Sequence, residues 1–235
     1  MNTVRNHSAT HLLHAALRYV LGHHVVQKGS LVAPDRLRFD FSHDQPATRE
    51  ELQKIEWLVN HKILENVETE IHVMPLEQAM KSGAMSLFGE KYQDTVRVLK
   101  IGGNFSTELC GGTHVKRTGD IGLMKIISES GIAAGIRRIE AVTGEGALAW
   151  VEGNHRKIEN VSALLKTDAE NMESKLELQN ERIHKLEREL EQFKSRMASS
   201  AGNDMVAQAV EIDGIKVIAK ILEGADARTL RDTVD

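Results

Sequence analysis

Residues 7–14 read His-Ser-Ala-Thr-His-Leu-Leu-His, which places three imidazoles along an apolar helical pattern. Apolar residues recur at helical spacing from Ser8 to Leu21, and a glycine follows as a stop. The pattern predicts a helix, on which residues four apart project from one face. His7 and His11 have this spacing, so a single metal ion can bridge them. His14 lies three residues after His11, and spacing alone equally permits that pair.

A second cluster lies far along the chain, where residues 110–114 read Cys-Gly-Gly-Thr-His. Cys110 is the single cysteine, so it is a free thiol, a nucleophile or a metal ligand rather than half of an intramolecular disulfide. The glycines allow a tight turn that brings Cys110 and His114 to one ion. One thiolate and three imidazoles suit tetrahedral zinc, with ligand bonds of about 2.0 to 2.3 Å. The predicted ligands are His7, His11, Cys110 and His114, while spacing alone leaves the His11/His14 pair open.

The remainder of residues 1–145 mixes helices and strands without strict alternation, which predicts an α+β fold in two layers with an antiparallel or mixed sheet. Thr48 and Glu51 form a capping box that opens the second helix. Periodicity predicts strands at 25–32, 37–41, 69–76, 95–101, 123–128 and 137–142, and further helices at 48–66 and 77–81.

From residue 146 the composition changes to long helical stretches, predicted at 147–166 and from Thr167 onward. Thr167 and Glu170 form a second capping box. Along the second helix, apolar positions alternate spacings of four and three, which is a heptad seam that needs a partner helix. The preceding helix of the same chain and a second copy of the chain both fit, and the seam does not choose between them. The seam consists of Met172, Leu176, Gln179, Ile183, Leu186, Leu190, Phe193 and Met197.

Residues 199–203 are rich in small and polar residues and predict a linker. Beyond it, residues 206–221 predict a hairpin around an Asp213-Gly214 turn, and residues 227–234 predict the start of a helix. A hairpin and one helix cannot bury a core of their own. We therefore expect a domain at 1–145, a helical linker at 146–200 and the beginning of a truncated C-terminal α/β domain at 201–235.

Composition limits the function classes. With 41% hydrophobic and 27% charged residues, the chain is globular rather than disordered. Only 4% of the residues are aromatic, which argues against a stacking platform for bare bases. Residues 1–150 carry 17 basic and 17 acidic side chains, without the basic excess of an autonomous nucleic-acid binder. Because neither a signal segment nor a long apolar span is apparent, we expect a cytoplasmic protein with no membrane partner.

Taken together, the two clusters resemble the paired signature of the alanyl-tRNA synthetase editing domain, which free-standing alanine trans-editing proteins share. Both halves match in full, at residues 7–14 and 110–114. Residues 27–32 and 37–43 also resemble the bacterial synthetase. The resemblance extends over residues 5–144, and the later helical part resembles the linker and the opening of that enzyme's C-terminal domain.

This resemblance implies a zinc-containing deacylase that hydrolyses serine or glycine wrongly esterified to alanine tRNA. The four predicted ligands take the zinc positions, and Gln27 takes the place of a glutamine that lines the editing pocket. Cys110 and Gln27 are accordingly the catalytic candidates. His14 is not carried over, and we expect it to orient the helix or to face solvent. The sequence contains no recognisable ATP-dependent aminoacylation module, so we expect that this chain does not charge tRNA.

The physical logic agrees, because serine exceeds alanine by one hydroxyl and glycine lacks one methyl, differences that a single pocket discriminates only modestly. We expect Gln27 to pair with the serine hydroxyl or to position water. Since four protein ligands fill a tetrahedral site, substrate positioning is favoured over direct activation of water. Two other interpretations are a free-standing trans-editing protein and a structural zinc module whose long helices mediate homo-oligomerisation.

Overall fold

The structure is a computed structural model that describes residues 1–86, 92–207 and 210–217, without the side chains at 198–207 and 216. The described elements, in chain order, are α1 (Asn2–Leu21), β1 (Gln27–Val32), β2 (Leu37–Ser42), α2 (Arg49–Leu64), β3 (Glu70–Pro75), α3 (Leu76–Lys81), β4 (Thr95–Ile101), β5 (Ser106–Leu109), a 3-10 turn (Thr118–Ile121), β6 (Met124–Ala133), β7 (Ile136–Thr143), α4 (Gly144–Leu165), α5 (Met172–Ala207), β8 (Val210–Ile212) and β9 (Ile215–Val217). The predicted α+β class is confirmed.

The strands form antiparallel ladders throughout the described residues. One sheet has the order β1-β2-β7-β6 and a second has the order β3-β4-β5. Helix α1 contacts α2 and strands of both sheets, so it runs through the middle of the fold. Its Leu12 and Leu13 are fully buried together with Phe39 and Phe41 of β2. Because α1 contacts α2 and both sheets, most side chains in the middle of this helix are shielded from solvent.

Several predicted elements agree with the structure at the level of single residues. Strand β4 has the predicted bounds. At the start of α2, the Glu51 N–H donates to Thr48 Oγ1 at 3.2 Å, and the Thr48 N–H donates to Glu51 Oε2 at 2.8 Å. The capping box is therefore confirmed. Helix α1 begins at Asn2 rather than near Ser8, which places His7 inside the helix.

Strand β5 was not predicted, and its residues show why. Ser106 and Glu108 are each only 1% exposed, so the strand turns polar side chains toward the interior. A strand is recognised in sequence by apolar residues at alternate positions, and here polar residues take those positions. Leu99 of β4 pairs with Glu108, which brings the end of β5 beside α1.

Contacts divide the chain into two units, residues 1–156 and 157–235. In the second unit, α5 begins at Met172, and Asp168 Oδ1 accepts the N–H of Asn171 at 2.8 Å. The predicted capping box at Thr167 is therefore wrong, because an aspartate one residue later caps the turn. The predicted linker at 199–203 is also wrong, because α5 continues through it to Ala207. One interior glycine costs a helix only about 1 kcal/mol, which does not suffice to end it.

Most of the predicted heptad positions on α5 are exposed, from Leu176 to Met197, and their pairing stays a prediction. Strands β8 and β9 form the expected hairpin around Asp213-Gly214. Residues 206–207, predicted as strand, belong to α5, and the predicted strand residues 208–209 and 218–221 lie outside the described residues. The predicted helix at 227–234 lies outside the described residues, and the proposed domain limits also stay predictions. Across the described parts of the chain, every helix is too short or too polar to span a lipid bilayer.

Candidate metal centre

Four predicted site residues meet where α1 faces the loop after β5. Nε2 of His7 and Nε2 of His114 each lie 3.5 Å from Sγ of Cys110. Nε2 of His11 lies 3.2 Å from Nε2 of His114, and the four candidate ligand atoms all lie within 4.8 Å of one another. The structure thus brings together side chains that are more than a hundred positions apart in the sequence.

The spacing of these atoms fits a tetrahedral cation. Ligand bonds of about 2.0 to 2.3 Å at tetrahedral angles place neighbouring ligand atoms about 3.3 to 3.6 Å apart. Three separations in the cluster, 3.2, 3.5 and 3.5 Å, lie close to this range. Two unprotonated imidazole nitrogens this close repel each other unless a proton or a cation lies between them. Both the donor types and their separations therefore fit zinc.

Hydrogen bonds on the outer side of the cluster orient two of the imidazoles. Nδ1 of His7 lies 3.2 Å from the carbonyl oxygen of Thr113, and Nδ1 of His11 lies 2.7 Å from Oε2 of Glu108. Because both partners are acceptors, each ring donates from Nδ1 and turns Nε2 toward the cluster. Nδ1 of His114 is buried and has no hydrogen-bond partner among the described residues.

Glu108 is the functional residue that sequence reasoning missed. Its side chain is almost fully buried, and its Oε1 accepts from Nδ1 of His14 at 2.9 Å while Oε2 accepts from His11. The hydroxyl of Ser106 also donates to Oε1, at 3.3 Å. If residues 106–110 had been recognised as a strand, alternation would have placed Glu108 on the same face as Cys110.

His14 does not face solvent, so that part of the expectation is wrong. The residue is only 5% exposed, and its ring packs against Phe39 with centroids 5.2 Å apart. A polar side chain on the buried face of a helix needs a hydrogen-bond partner, and Glu108 supplies it. The orienting role fits this contact, because the Glu108 carboxylate links His14 to His11.

Burial and hydrogen bonding set the charges of the cluster in the metal-free protein. Burial alone would lower the pKa of His11, but hydrogen bonds with Cys110 and Glu108 outweigh it and raise this pKa to about 9. Burial disfavours the Cys110 thiolate, yet bonds from His11, His114 and His7 lower the pKa of the thiol to about 3. Burial lowers the pKa of His114. At neutral pH a thiolate therefore lies beside an imidazolium, and a divalent ion displaces the His11 proton when it binds.

The two glycines between Cys110 and His114 have different surroundings. A Cβ atom added to Gly112 would lie 2.2 Å from Cε1 of His7, whereas a Cβ atom added to Gly111 would meet nothing within 4 Å. Arg97 Nη1 holds this loop by donating to both glycine carbonyl oxygens, at 2.9 and 3.0 Å. Gly112 is therefore required for the close approach of the His7 ring, and Gly111 is not.

Gln27 lies apart from the four candidate ligands. It begins β1 and donates from Nε2 to the hydroxyl of Ser30 at 3.4 Å. Together with His14 it lines a cavity of about 270 Å³. A second cavity, of about 330 Å³, opens beside His7 and Thr113. Gln27 and His14 therefore line the same cavity. The Glu108 carboxylate links His14 to His11, which is one of the four candidate ligands.

The fold and the cluster define a class: an α+β protein that gathers one cysteine and three histidines in a group that could hold a metal ion. Residues 96–140 match the family described as "Threonyl and Alanyl tRNA synthetase second additional domain". The chain is 57% identical over 234 residues to the alanine-tRNA ligase of Aromatoleum aromaticum, covering 100% of the chain and 27% of that relative. It is 55% identical over 234 residues to the alanine-tRNA ligase of Bordetella pertussis, covering 99% of the chain and 26% of that relative.

The chain therefore belongs to the alanyl-tRNA synthetase family. The relative from Stenotrophomonas maltophilia, also an alanine-tRNA ligase, agrees, with 57% identity over 233 residues, 99% of the chain and 26% of the relative. The chain thus spans 26 to 27% of the length of these relatives.

Proposed function

We propose that this chain hydrolyses mischarged alanine tRNA and releases serine or glycine from Ser-tRNA(Ala) and Gly-tRNA(Ala). The observation that carries the proposal is the convergence of Cys110 with three imidazoles beside open cavities. Family membership supports the choice of tRNA, because the relatives are alanine-tRNA ligases. An enzyme that joins alanine to tRNA benefits from a second site that removes near-isosteric amino acids.

The four ligands would hold zinc, and the ion would supply a positive charge able to bind or polarise an ester carbonyl or the terminal ribose. The chain's own residues prepare this position. The carbonyl of Thr113 and the carboxylate of Glu108 fix two imidazole rings, so the ligands need little rearrangement. Because four protein side chains complete a tetrahedron, the arrangement favours substrate positioning over an open coordination position for water.

Gln27 supports the proposal from the neighbouring cavity. Its amide can both donate and accept, so it can hold a water molecule or a polar group of the aminoacyl ester. Its one described hydrogen bond, to Ser30, is long at 3.4 Å, which leaves the amide available to exchange partners. Gln27 therefore serves best as a positioning group for the hydrolytic water or the ester.

A deacylation assay tests the proposed function. We expect the zinc-loaded chain to clear Ser-tRNA(Ala) and Gly-tRNA(Ala) while sparing Ala-tRNA(Ala), and we expect a chelator to abolish this activity until zinc is restored. Metal analysis on the same samples should give about one zinc per chain, since one cluster of this kind is present among the described residues. A zinc-loaded chain that melts well above the metal-free form yet clears no substrate would instead support a purely structural metal site.

Gln27→Ala should slow the clearance of both serine and glycine by at least about tenfold, because the water or ester loses one positioning hydrogen bond. Zinc content should not change, since Gln27 lies outside the ligand cluster. The exposed Gln78 of α3 provides a matched control, and Gln78→Ala should retain the wild-type rate. An unchanged rate in Gln27→Ala would remove this residue from the site.

A further inference from the structure

The cavity that contains Gln27 also contains a histidine with an unusual combination of contacts. His14 is 95% buried and lines this cavity of about 270 Å³, although it is not one of the four metal ligands. Nε2 of His14 is buried and has no hydrogen-bond partner among the described residues. Buried polar atoms are nearly always paired, so an unpaired one beside a cavity marks a place for a ligand atom or a water molecule.

The Glu108 carboxylate determines which hydrogen-bonding group His14 presents. Its two oxygens accept from Nδ1 of His11 and from Nδ1 of His14. Each oxygen lies within 2.9 Å of a ring nitrogen, and a carboxylate oxygen can only accept, so Glu108 accepts from both rings. Nδ1 of His14 must therefore carry a proton, and in the neutral ring Nε2 is then an acceptor.

The other described groups around the cavity are four apolar side chains, the guanidinium of Arg18 and the hydroxyl of Ser86. Val26, Met80, Ala84 and Met85 contribute apolar walls. Arg18 also lines the cavity, but its Nη1 donates to the carbonyl oxygens of His23 and Val25, at 2.9 and 2.7 Å. The space is therefore lined by apolar side chains together with an acceptor from His14, an amide from Gln27 and the hydroxyl of Ser86. Such a lining selects a small side chain that bears one hydroxyl.

Building on the proposed function, we propose that this cavity receives the side chain of the misplaced amino acid and that Nε2 of His14 accepts a hydrogen bond from the serine hydroxyl. Glycine leaves space in which a water molecule, with a volume of about 30 Å³, donates to the same nitrogen. The methyl group of alanine occupies that space and cannot donate, so it leaves Nε2 unpaired. One acceptor thus explains how a site admits a larger and a smaller amino acid while it excludes alanine.

The variant His14→Asn tests this specificity role. The asparagine amide can replace Nδ1 as the donor to Glu108 but places no acceptor where Nε2 was. We expect clearance of Ser-tRNA(Ala) to fall about 10- to 100-fold, with clearance of Gly-tRNA(Ala) changed by less than about threefold, because only serine loses a direct bond. Zinc content should remain that of the wild type. Equal losses on both substrates, or no loss on serine, would overturn the proposal.

A binding measurement on the wild-type chain keeps the test independent of the variant's folding. The probes are non-hydrolysable 3′-seryl-amino and 3′-alanyl-amino analogues of 3′-deoxyadenosine, titrated calorimetrically into the zinc-loaded chain. We expect the seryl probe to bind about 10- to 100-fold more tightly, and equal affinities would reject the role of His14. If the wild type prefers the seryl probe but hydrolyses neither tRNA, the proposed function fails and the pocket stands. If it hydrolyses Ser-tRNA(Ala) without preferring the seryl probe, the proposed function stands and the role of His14 is rejected.

Discussion

Cys110→Ala is expected to reduce serine release from Ser-tRNA(Ala) by at least about 100-fold, the upper end of the effects seen even for residues that only support metal ligands. The sulfur contacts both His7 and His114 at 3.5 Å, so its removal leaves three imidazoles without the anion that joins them. The fold should survive, because Cys110 is only partly buried and its N–H still donates to the carbonyl oxygen of Arg97 at 3.0 Å.

The measurements for Cys110→Ala are deacylation rates, zinc content and circular dichroism on the same preparation. His184→Ala provides the control, because His184 is an exposed histidine of α5 whose ion pair with Glu187 lies at the surface. This control should keep both zinc and activity. If Cys110→Ala retained its turnover with a normal spectrum, the cluster would not be the site of hydrolysis.

Gly112→Ala should lower the affinity for zinc by about 10- to 100-fold, whereas Gly111→Ala should leave it unchanged. The added methyl at position 112 would lie 2.2 Å from Cε1 of His7, so the ring has to turn away from the cluster. At position 111 the methyl group meets nothing within 4 Å. Deacylation should decrease in parallel with metal occupancy, since His7 would no longer hold its ligand position.

The two glycine variants are best compared by competition with a chromophoric zinc chelator. Both substitutions add one methyl group to the same loop, so a difference between them reports the contact with His7 rather than a general effect on the loop. Wild-type affinity in both variants would show that the His7 ring is not needed for the ion. A loss in Gly111→Ala as large as that in Gly112→Ala would show that loop flexibility controls the affinity.

Sequence reasoning succeeded where one local pattern dominates. The capping box of Thr48 and Glu51 needs only four consecutive residues, and it defined the start of α2. Strand β4 was predicted with its bounds, and its buried and less buried residues alternate except at Val98 and Leu99, which are both buried. At the other end of the chain, Thr167 showed the same capping pattern, but Asp168 caps instead. Local signals fail where two adjacent residues compete for one role.

The candidate site was predicted only in part. Spacing along a helix shows which residues share a face, but it does not show which residues of other elements pack against that face. Spacing identified His7 and His11 as one pair and Cys110 and His114 as another, and the structure shows that the two pairs meet. Glu108 escaped notice because a single acidic residue in a short segment looks like a solvated one. Its role depends on burial between His11 and His14, which tertiary packing alone determines.

The distance along the chain between the two halves of the cluster bears on how the protein acquires its ion during synthesis. At about 5–20 residues per second, a ribosome needs roughly 5 to 20 seconds to progress from His7 to His114. During that interval α1 carries its two imidazoles without their counterparts, since β5 and the following loop do not yet exist. A nascent chain would therefore complete the proposed zinc site only after β5 and the following loop have been synthesised, and uptake of the ion would then mark the completion of this part of the fold.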